Sequence, residues 1–195
     1  MASQPEQYQL EILDSLAEIP AAEWNKLLPG DAGPFLNHAF LSTLEESGCV
    51  GGTTGWQVAH LGLKDQSQLV GALPLYLKQH SYGEFVFDWS WAQAYEQQGM
   101  NYYPKALCAV PFTPVQGARI LCAAGKNVKD IHTGLIKGLK TLLVTNQISS
   151  AHILFHWPRS WQPLRLKDLC CATLCSFTGT TKPSKVLSIF YPSSP

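Results

Sequence analysis

The chain has 195 residues, of which 46% are hydrophobic and 14% are charged. This composition is sufficient for a packed domain and excludes a disordered protein. Fourteen basic and fourteen acidic residues give a net charge of zero, which excludes general electrostatic attraction to DNA or to an anionic membrane.

The first quarter of the chain predicts a strand followed by two helices. No basic segment followed by an apolar run precedes them, so neither a signal peptide nor a membrane span is expected, and the location is predicted to be cytoplasmic. Residues 8–13 alternate as a short strand, and Pro20 suits the first turn of a helix that ends before Pro29. Asn37 is suited to be the N-cap of a second helix that ends at Gly48.

A hairpin is predicted next. The segments 56–64 and 68–78 flank the polar turn formed by residues 65–67, a pattern typical of two antiparallel strands. Pro74 cannot donate a ladder hydrogen bond and is expected to interrupt the second strand.

In residues 84–95, large aromatic side chains occupy every second position from Phe85 to Trp91. This alternation predicts a strand with Phe85 and Trp89 on one face and with Glu84 and Asp88 on the other. One face is therefore expected to be aromatic, and the opposite face is expected to carry two carboxylates.

The following segment predicts two short strands, a long helix and a final strand. Residues 106–121 are interrupted by Pro111 and Pro114, so we expect two strands with a break between them. Residues 127–144 have the apolar spacing of an amphipathic helix, and residues 151–155 predict a buried strand.

The last forty residues lose this regular pattern. From residue 156 onward there is one acidic residue, Asp168, against five lysines or arginines and five prolines. Among the degenerate codons that can encode Cys175 to Lys185, one set reads QFHWHNQAIK when the frame starts at the third base, and other sets give other readings. We therefore predict a domain over residues 1–155 and an out-of-frame tail over 156–195 with little ordered structure, which would make the chain a truncated product of a frameshift.

Three long segments carry a family resemblance: residues 34–50, 71–105 and 109–121. They resemble the FemA/FemB-like group of the GNAT acyltransferase superfamily, a bacterial family associated with peptidoglycan biosynthesis or recognition. The resemblance covers most of residues 9–155, and QFHWHN is what the family shows next. It implies an α/β (α+β) fold with a GNAT-like mixed, mostly antiparallel sheet flanked by helices, as one module of an expected two.

The resemblance also implies a reaction class. Members of the superfamily move an acyl group from a thioester, or an aminoacyl group from a charged tRNA, onto an amine. The first hypothesis is the N-terminal half of a cytoplasmic acyl- or aminoacyl-transferase that acts on an amine, such as that of a peptidoglycan precursor. The alternatives are a non-catalytic module that binds a muropeptide or amino-sugar ligand, and an inactive truncated product. Whether the chain is an enzyme stays open.

The donor site is not expected in this half. A GNAT pyrophosphate loop has the pattern R/Q-x-x-G-x-G/A before a helix, where backbone N–H groups hold the phosphates. Residues 116–119 do not match it, and residues 123–126 before the long helix are only a weak substitute. Acyl-CoA or aminoacyl-tRNA is therefore implied as the donor of a full-length form, without a cofactor assigned to this half.

The catalytic residue is unassigned, with Asp88 as its candidate. On one strand, Glu84 and Asp88 would stand about 13 Å apart, too far to form a carboxylate pair. Either could accept a proton from an amine, and the alternative is an ion pair with Lys78 or Lys105 on a solvated face.

The candidate binding residues follow from their chemistry. Flat aromatic faces with polar tips suit sugar rings or nucleobases, although core packing is the alternative for Trp89 and Trp91. Adjacent tyrosines in a turn region suggest contacts at the rim of a site, and Thr113 lies at the sheet interruption, where a plain strand switch is the alternative. No metal is assigned, because the six histidines lack ligand spacing. The predicted substrate-binding set is Trp89, Tyr95, Tyr102, Tyr103, Lys105 and Thr113.

Overall fold

The computed structural model describes residues 8–86, 88–157, 172–177 and 184–190, and these residues form two sheets flanked by helices. The helices are α1 (Ala21–Asn25), α2 (His38–Glu46), α3 (Trp89–Gln97) and α4 (Val128–Thr145), with short 3-10 turns at Leu16–Glu18 and Pro34–Leu36. The strands are β1 (Gln9–Leu13), β2 (Trp56–Val58), β3 (His60–Asp65), β4 (Gln68–Leu73), β5 (Tyr76–Lys78), β6 (Lys105–Cys108), β7 (Leu121–Cys122), β8 (Ser150–Ile153), β9 (Ala172–Phe177) and β10 (Ser184–Phe190).

The two sheets have the orders β1-β3-β4-β7 and β2-β5-β6-β8-β10-β9. Every pairing between these strands is antiparallel except that of β6 with β8, which is parallel. The predicted mixed, mostly antiparallel sheet flanked by helices is therefore confirmed.

The residues predicted to begin the first two helices, Pro20 and Asn37, lie at the starts of α1 and α2. Pro20 occupies the N-cap of α1, and the buried Trp24 of that helix donates its indole N–H to the carbonyl of Leu36 at 2.9 Å. Asn37 caps α2, since its side chain accepts a hydrogen bond from the backbone N–H of Ala39 at 3.0 Å.

The predicted hairpin is confirmed as β3 and β4, in which Asp65 pairs with Gln68 across a two-residue turn. Gln66 in that turn has a φ of 56°, as primed hairpin turns require at their central positions. Pro74 lies between β4 and β5, so the predicted interruption is also present.

Helix α4 covers one face of the sheet and supplies much of the core. Asn127 caps it through the N–H of Lys129, and its apolar stripe is buried against β3 and β4 at Ile131, Leu135 and Leu139. The predicted amphipathic helix is confirmed, as are the interrupted strands β6 and β7 and the buried strand β8.

The strand predicted over residues 84–95 is wrong. Gly83 and Phe85 have φ values of 79° and 58°, which turn the chain out of an extended conformation, and helix α3 begins at Trp89. Alanine, glutamine and glutamate predominate between residues 92 and 97, so intrinsic helix preference outweighs the aromatic alternation. Phe87, which belonged to the predicted strand, lies outside the described residues.

Two strands are described within residues 156–195. Strand β10 pairs with β8 and with β9, which extends the larger sheet. Residues 158–171, 178–183 and 191–195 of the predicted tail lie outside the described residues. The domain boundary at residue 155 and the out-of-frame origin of the tail stay predictions. Within the part of the chain that is described, no helix is both long and apolar enough to cross a membrane.

Candidate functional site

Lys105, the first residue of β6, is the centre of a buried ion cluster. Its ammonium group donates hydrogen bonds to the hydroxyl of Ser81 at 2.8 Å, to Oε2 of Glu84 at 2.8 Å and to Oδ2 of Asp88. An ammonium has three protons to donate, and these contacts account for all of them. Lys105 therefore ties the loop before α3 to the sheet.

A second lysine lies directly opposite the first. Lys78 on β5 pairs with Lys105 in the antiparallel register, an arrangement that would be repulsive without anions between the two charges. Glu84 supplies that charge, because its Oε2 contacts Lys105 while its Oε1 lies 4.0 Å from Nζ of Lys78. Lys78 also donates to the carbonyl of Tyr82 at 3.0 Å and lies 3.6 Å from the ring centre of Trp56.

Asp88 connects the ion cluster to helix α3. It occupies the N-cap position of α3 but makes no side-chain capping bond. Its carboxylate instead points to the cluster, where it accepts hydrogen bonds from Lys105 and, at 2.6 Å, from the hydroxyl of Tyr102. The ring of Tyr102 packs edge-on against Tyr95 of α3, with 5.2 Å between ring centres. The start of α3 is thus fixed by polar contacts.

The hydrogen-bond network continues to β8. The hydroxyl of Tyr102 lies 3.4 Å from Nε2 of His152, and the hydroxyl of Ser150 lies 2.9 Å from the same nitrogen. Burial, together with the positive charge of Lys105, lowers the pKa of His152 to about 3. The imidazole is therefore neutral at physiological pH.

The pKa values of the two carboxylates shift in opposite directions. Burial raises the pKa of Glu84 to about 7, although Lys105 acts in the opposite direction. Burial also opposes ionisation of Asp88, but the charge and hydrogen bond of Lys105 outweigh it, so the pKa of Asp88 lies below its ordinary value. Burial lowers the pKa of Lys78 to about 8. Glu84 and Lys78 are therefore the two groups of the cluster whose pKa values lie near neutral pH, and Glu84 is the carboxylate of the pair.

Two buried carboxylate oxygens are left over in this cluster. Oε1 of Glu84 and Oδ1 of Asp88 have no hydrogen-bond partner within the described part of the chain. Oε1 of Glu84 does lie within ion-pair distance of Lys78, at 4.0 Å from Nζ. Buried polar atoms usually have a hydrogen-bond partner, so these two oxygens are the acceptors of the cluster that could still take a ligand proton.

The expected separation of Glu84 and Asp88 is wrong. Because the chain is not extended there, both carboxylates contact the same ammonium group of Lys105. The alternative of pairing with Lys78 or Lys105 is confirmed, but the pairs are buried instead of lying on a solvated face.

The structure distributes the predicted binding residues between the interior and the surface. Tyr102 is buried, so its expected place at a rim is wrong, whereas Tyr103 is half-buried and its hydroxyl lies 2.7 Å from that of Ser81. Trp89 and Trp91 are exposed, so core packing is wrong for both. Their roles in binding, and those of Tyr95 and Lys105, stay predictions.

Thr113 lies at the break between β6 and β7, as expected. Its hydroxyl donates to the carbonyl of Pro111 at 3.0 Å within the same turn. Its role in binding stays a prediction.

The spacing of Ser81 and Lys78 in the sequence does not indicate that they belong to one cluster. The available signal was a lysine within or beside each of two apolar strand segments, YLK and KALC, where a charge must find a partner. The exposed aromatic residues Tyr82 and Phe112 were also missed.

The polar groups in and near the loop before α4 make contacts within the protein. Residues 123–127 connect β7 to α4, and the side chain of Asn127 already caps the helix. The ammonium group of Lys126 pairs with Asp65 at 2.8 Å. Arg119 is buried, and its guanidinium donates to the carbonyls of Leu154 at 2.8 Å and Val115 at 2.6 Å. The basic groups of this region are thus engaged within the protein.

A metal site receives no support from the described residues, since none of their His, Cys, Asp and Glu side chains form a group of three that could hold an ion.

Comparisons with known proteins agree with this fold. The family model FemAB-like, described as peptidoglycan biosynthesis/recognition, matches residues 15–181. No curated protein sequence shows significant similarity to the chain.

Solved structures share the fold at low sequence identity. A protein assigned to the GNAT acetyltransferases of Desulfovibrio desulfuricans is 7% identical, with a TM-score of 0.58 over 94% of this chain and 99% of that one. The aminoglycoside acetyltransferase AAC(6')-Ib, solved with coenzyme A, is 13% identical, with a TM-score of 0.54 over 94% and 95%. FeeM, an N-acyl amino acid synthase from uncultured soil microbes, is 12% identical, with a TM-score of 0.52 over 96% and 92%. These likenesses show a GNAT fold.

Proposed function

The chain belongs to the FemAB-like family, and from this premise we propose that it is the N-terminal module of a transferase that moves an acyl or aminoacyl group onto an amine. The proposed acceptor is an amine of a peptidoglycan precursor. The GNAT fold and the family support the reaction class, and the buried ion cluster supplies a group suited to the proton transfer that the reaction needs.

The observation that carries the proposal is the environment of Glu84. An amine must lose a proton when it attacks an acyl group, and a base with a pKa near the working pH performs this transfer best. Burial raises the pKa of Glu84 to about 7, and its Oε1 lacks a hydrogen-bond partner within the described residues. Asp88 is the weaker base, because its pKa is lowered. The proposed base is therefore Glu84 instead of the earlier candidate Asp88.

The other members of the cluster position this base. Lys105 fixes one oxygen of Glu84, and the second oxygen lies 4.0 Å from Nζ of Lys78 without a hydrogen bond among the described residues. Tyr82 and Phe85, on either side of Glu84 in the chain, are exposed. An acceptor amine would reach Glu84 from the side of these two residues.

The test is a transfer assay with the complete chain. Acetyl-CoA is mixed with L-lysine or glucosamine, and both the released thiol and the mass of the acylated amine are measured. Glu84→Gln is expected to lower the rate by about a hundredfold or more, as loss of a general base does. Glu46→Gln, at the exposed end of α2, is the matched control and keeps the rate. Equal rates for the two variants would contradict the role of Glu84.

A second function is favoured by the loop before α4. Its lack of a phosphate-binding glycine pattern and the pairing of Lys126 with Asp65 favour a recognition module that binds a muropeptide or amino-sugar ligand without turnover. Ligand binding by the chain with no transfer in the assay above selects this function.

A further inference from the structure

Four exposed aromatic side chains lie around the loop that carries Glu84, and we call them the aromatic platform. The rings of Tyr82 and Trp89 contact each other, with 6.2 Å between their centres. The backbone N–H of Phe112 donates to the carbonyl of Gly83 at 3.2 Å, which joins the second loop to the first. The platform consists of Tyr82, Phe85, Trp89 and Phe112, which are 65%, 52%, 57% and 45% exposed.

The backbone is strained where it presents two of these rings. Phe85 and Phe112 have φ values of 58° and 56°, a conformation that costs a bulky residue about 1–3 kcal/mol. A Cβ on Gly83 would lie 2.6 Å from the ring of Phe112, so only glycine permits this approach. Burial of the rings does not offset the strain, because both side chains are exposed. Strain of this kind accumulates where a ligand is bound.

The buried ion cluster contacts the loop that carries Tyr82, and it reaches the loop that carries Phe112 through Trp56. Lys78 donates to the carbonyl of Tyr82 and stacks on Trp56, and the ring of Trp56 packs against Phe112 with 5.2 Å between centres. The ring of Phe112 and the backbone of Tyr82 are therefore held in place before a ligand arrives, which lowers the entropic cost of binding.

The charges around the platform limit what it can bind. Residues 82–101 contain no lysine or arginine, and of their three acidic residues Glu84 and Asp88 are buried, which leaves Glu96 exposed. Nucleic acids and anionic membranes require basic side chains that this segment lacks. The exposed polar groups are neutral hydroxyls and amides: Ser90, Gln93, Gln97, Gln98 and Asn101.

From this surface we infer that the aromatic platform binds the sugar rings of an uncharged oligosaccharide. The apolar faces of pyranose rings would stack on Tyr82, Phe85 and Trp89, and the neutral amides of α3 would bind ring hydroxyls. The inference rests on the proposed function in one respect, because the platform would hold the sugar part of the ligand whose amine reaches Glu84.

The probe is chitotetraose, an uncharged tetramer of N-acetylglucosamine, titrated into the complete chain in a calorimeter. We expect saturable binding that Trp89→Ala and Phe85→Ala each weaken by about tenfold, which corresponds to the loss of one stacked ring. Val144→Ala removes an equally exposed apolar side chain from α4 and is expected to leave binding unchanged. Thermal unfolding of each variant confirms that it is folded.

Other occupants of the platform give different results. Binding to phosphatidylcholine vesicles without binding to chitotetraose would overturn the inference in favour of a membrane surface. A dimer that Trp89→Ala dissociates, again without sugar binding, would overturn it in favour of a second copy of the chain. Acyl transfer to L-lysine without chitotetraose binding would overturn the sugar-binding role of the platform and support the proposed transferase function. Chitotetraose binding without acyl transfer would support the sugar-binding role and count against the transferase function.

Discussion

Helices α3 and α4 are held to the sheet by different forces. Eight of the eighteen residues of α4 are buried, and the helix packs its apolar stripe on β3 and β4. None of the nine residues of α3, all of them described, is buried. Its start is fixed by Asp88 in the ion cluster and its middle by the ring contact between Tyr95 and Tyr102.

This difference separates the structural side of the molecule from its candidate functional side. Hydrophobic burial is non-directional and changes little with pH, so α4 stabilises the fold under most conditions. A buried ion network depends on geometry and protonation, and it contributes little net stability compared with apolar residues. The α3 side therefore carries a titratable carboxylate and exposed aromatic rings, and its attachment to the sheet is less stable than that of α4.

The largest expected effect comes from removing the central cation. Lys105→Met leaves Glu84 and Asp88 buried without the ammonium group that both contact. We expect the free energy of unfolding to fall by about 3–5 kcal/mol, the usual cost of breaking a buried pair. The measurement is urea denaturation, with Lys64→Met as control.

The control removes an ion pair of a different kind. Lys64 pairs with Glu11 at 2.6 Å on the surface, where both side chains are partly exposed. Exposed pairs contribute about 1 kcal/mol or less, so the control should remain close to the wild type. Similar losses in the two variants would show that the cluster is no more important than a surface pair.

A smaller effect is expected from pH. The pKa of Glu84 rises from an ordinary value of 4.5 in the unfolded chain to about 7 in the folded protein. This shift stabilises the fold below pH 4.5, and the contribution is lost as the pH rises through 7. Relative to Glu84→Gln, the wild type should therefore lose about 2 kcal/mol between pH 5 and pH 8.

The pH prediction is checked by denaturation of both proteins at the two pH values. Glu46→Gln, which removes an exposed carboxyl group at the end of α2, serves again as the control. A constant difference between the wild type and Glu84→Gln would mean that Glu84 does not titrate in this range.

Features determined by neighbouring residues were predictable from the sequence. The caps at Asn37 and Asn127, the turn at Gln66 and the apolar stripe of α4 all depend on residues within a few positions of one another. These signals located the helices and the hairpin, whereas the mixed sheet flanked by helices was implied by the family resemblance.

The ion cluster and the platform depend on contacts that sequence spacing does not reveal. The meeting of Lys78 and Lys105 follows from the register of β5 against β6. The inward direction of Glu84 follows from the left-handed conformations of Gly83 and Phe85 on either side of it. The strand prediction for residues 84–95 rested on the alternation of aromatic and polar side chains, and the exposed tryptophans of α3 produce the same pattern in a helix.

Native-state hydrogen exchange of Asp88→Ala tests the different attachment of the two helices most directly. This variant removes the anchor of α3 but leaves Lys105 paired with Glu84. We predict that amides of α3 exchange at least about tenfold faster than in the wild type, equivalent to about 1.4 kcal/mol, while amides of α4 change by a smaller factor. Equal acceleration in both helices would contradict the account, because α3 would then depend on the same hydrophobic core as α4.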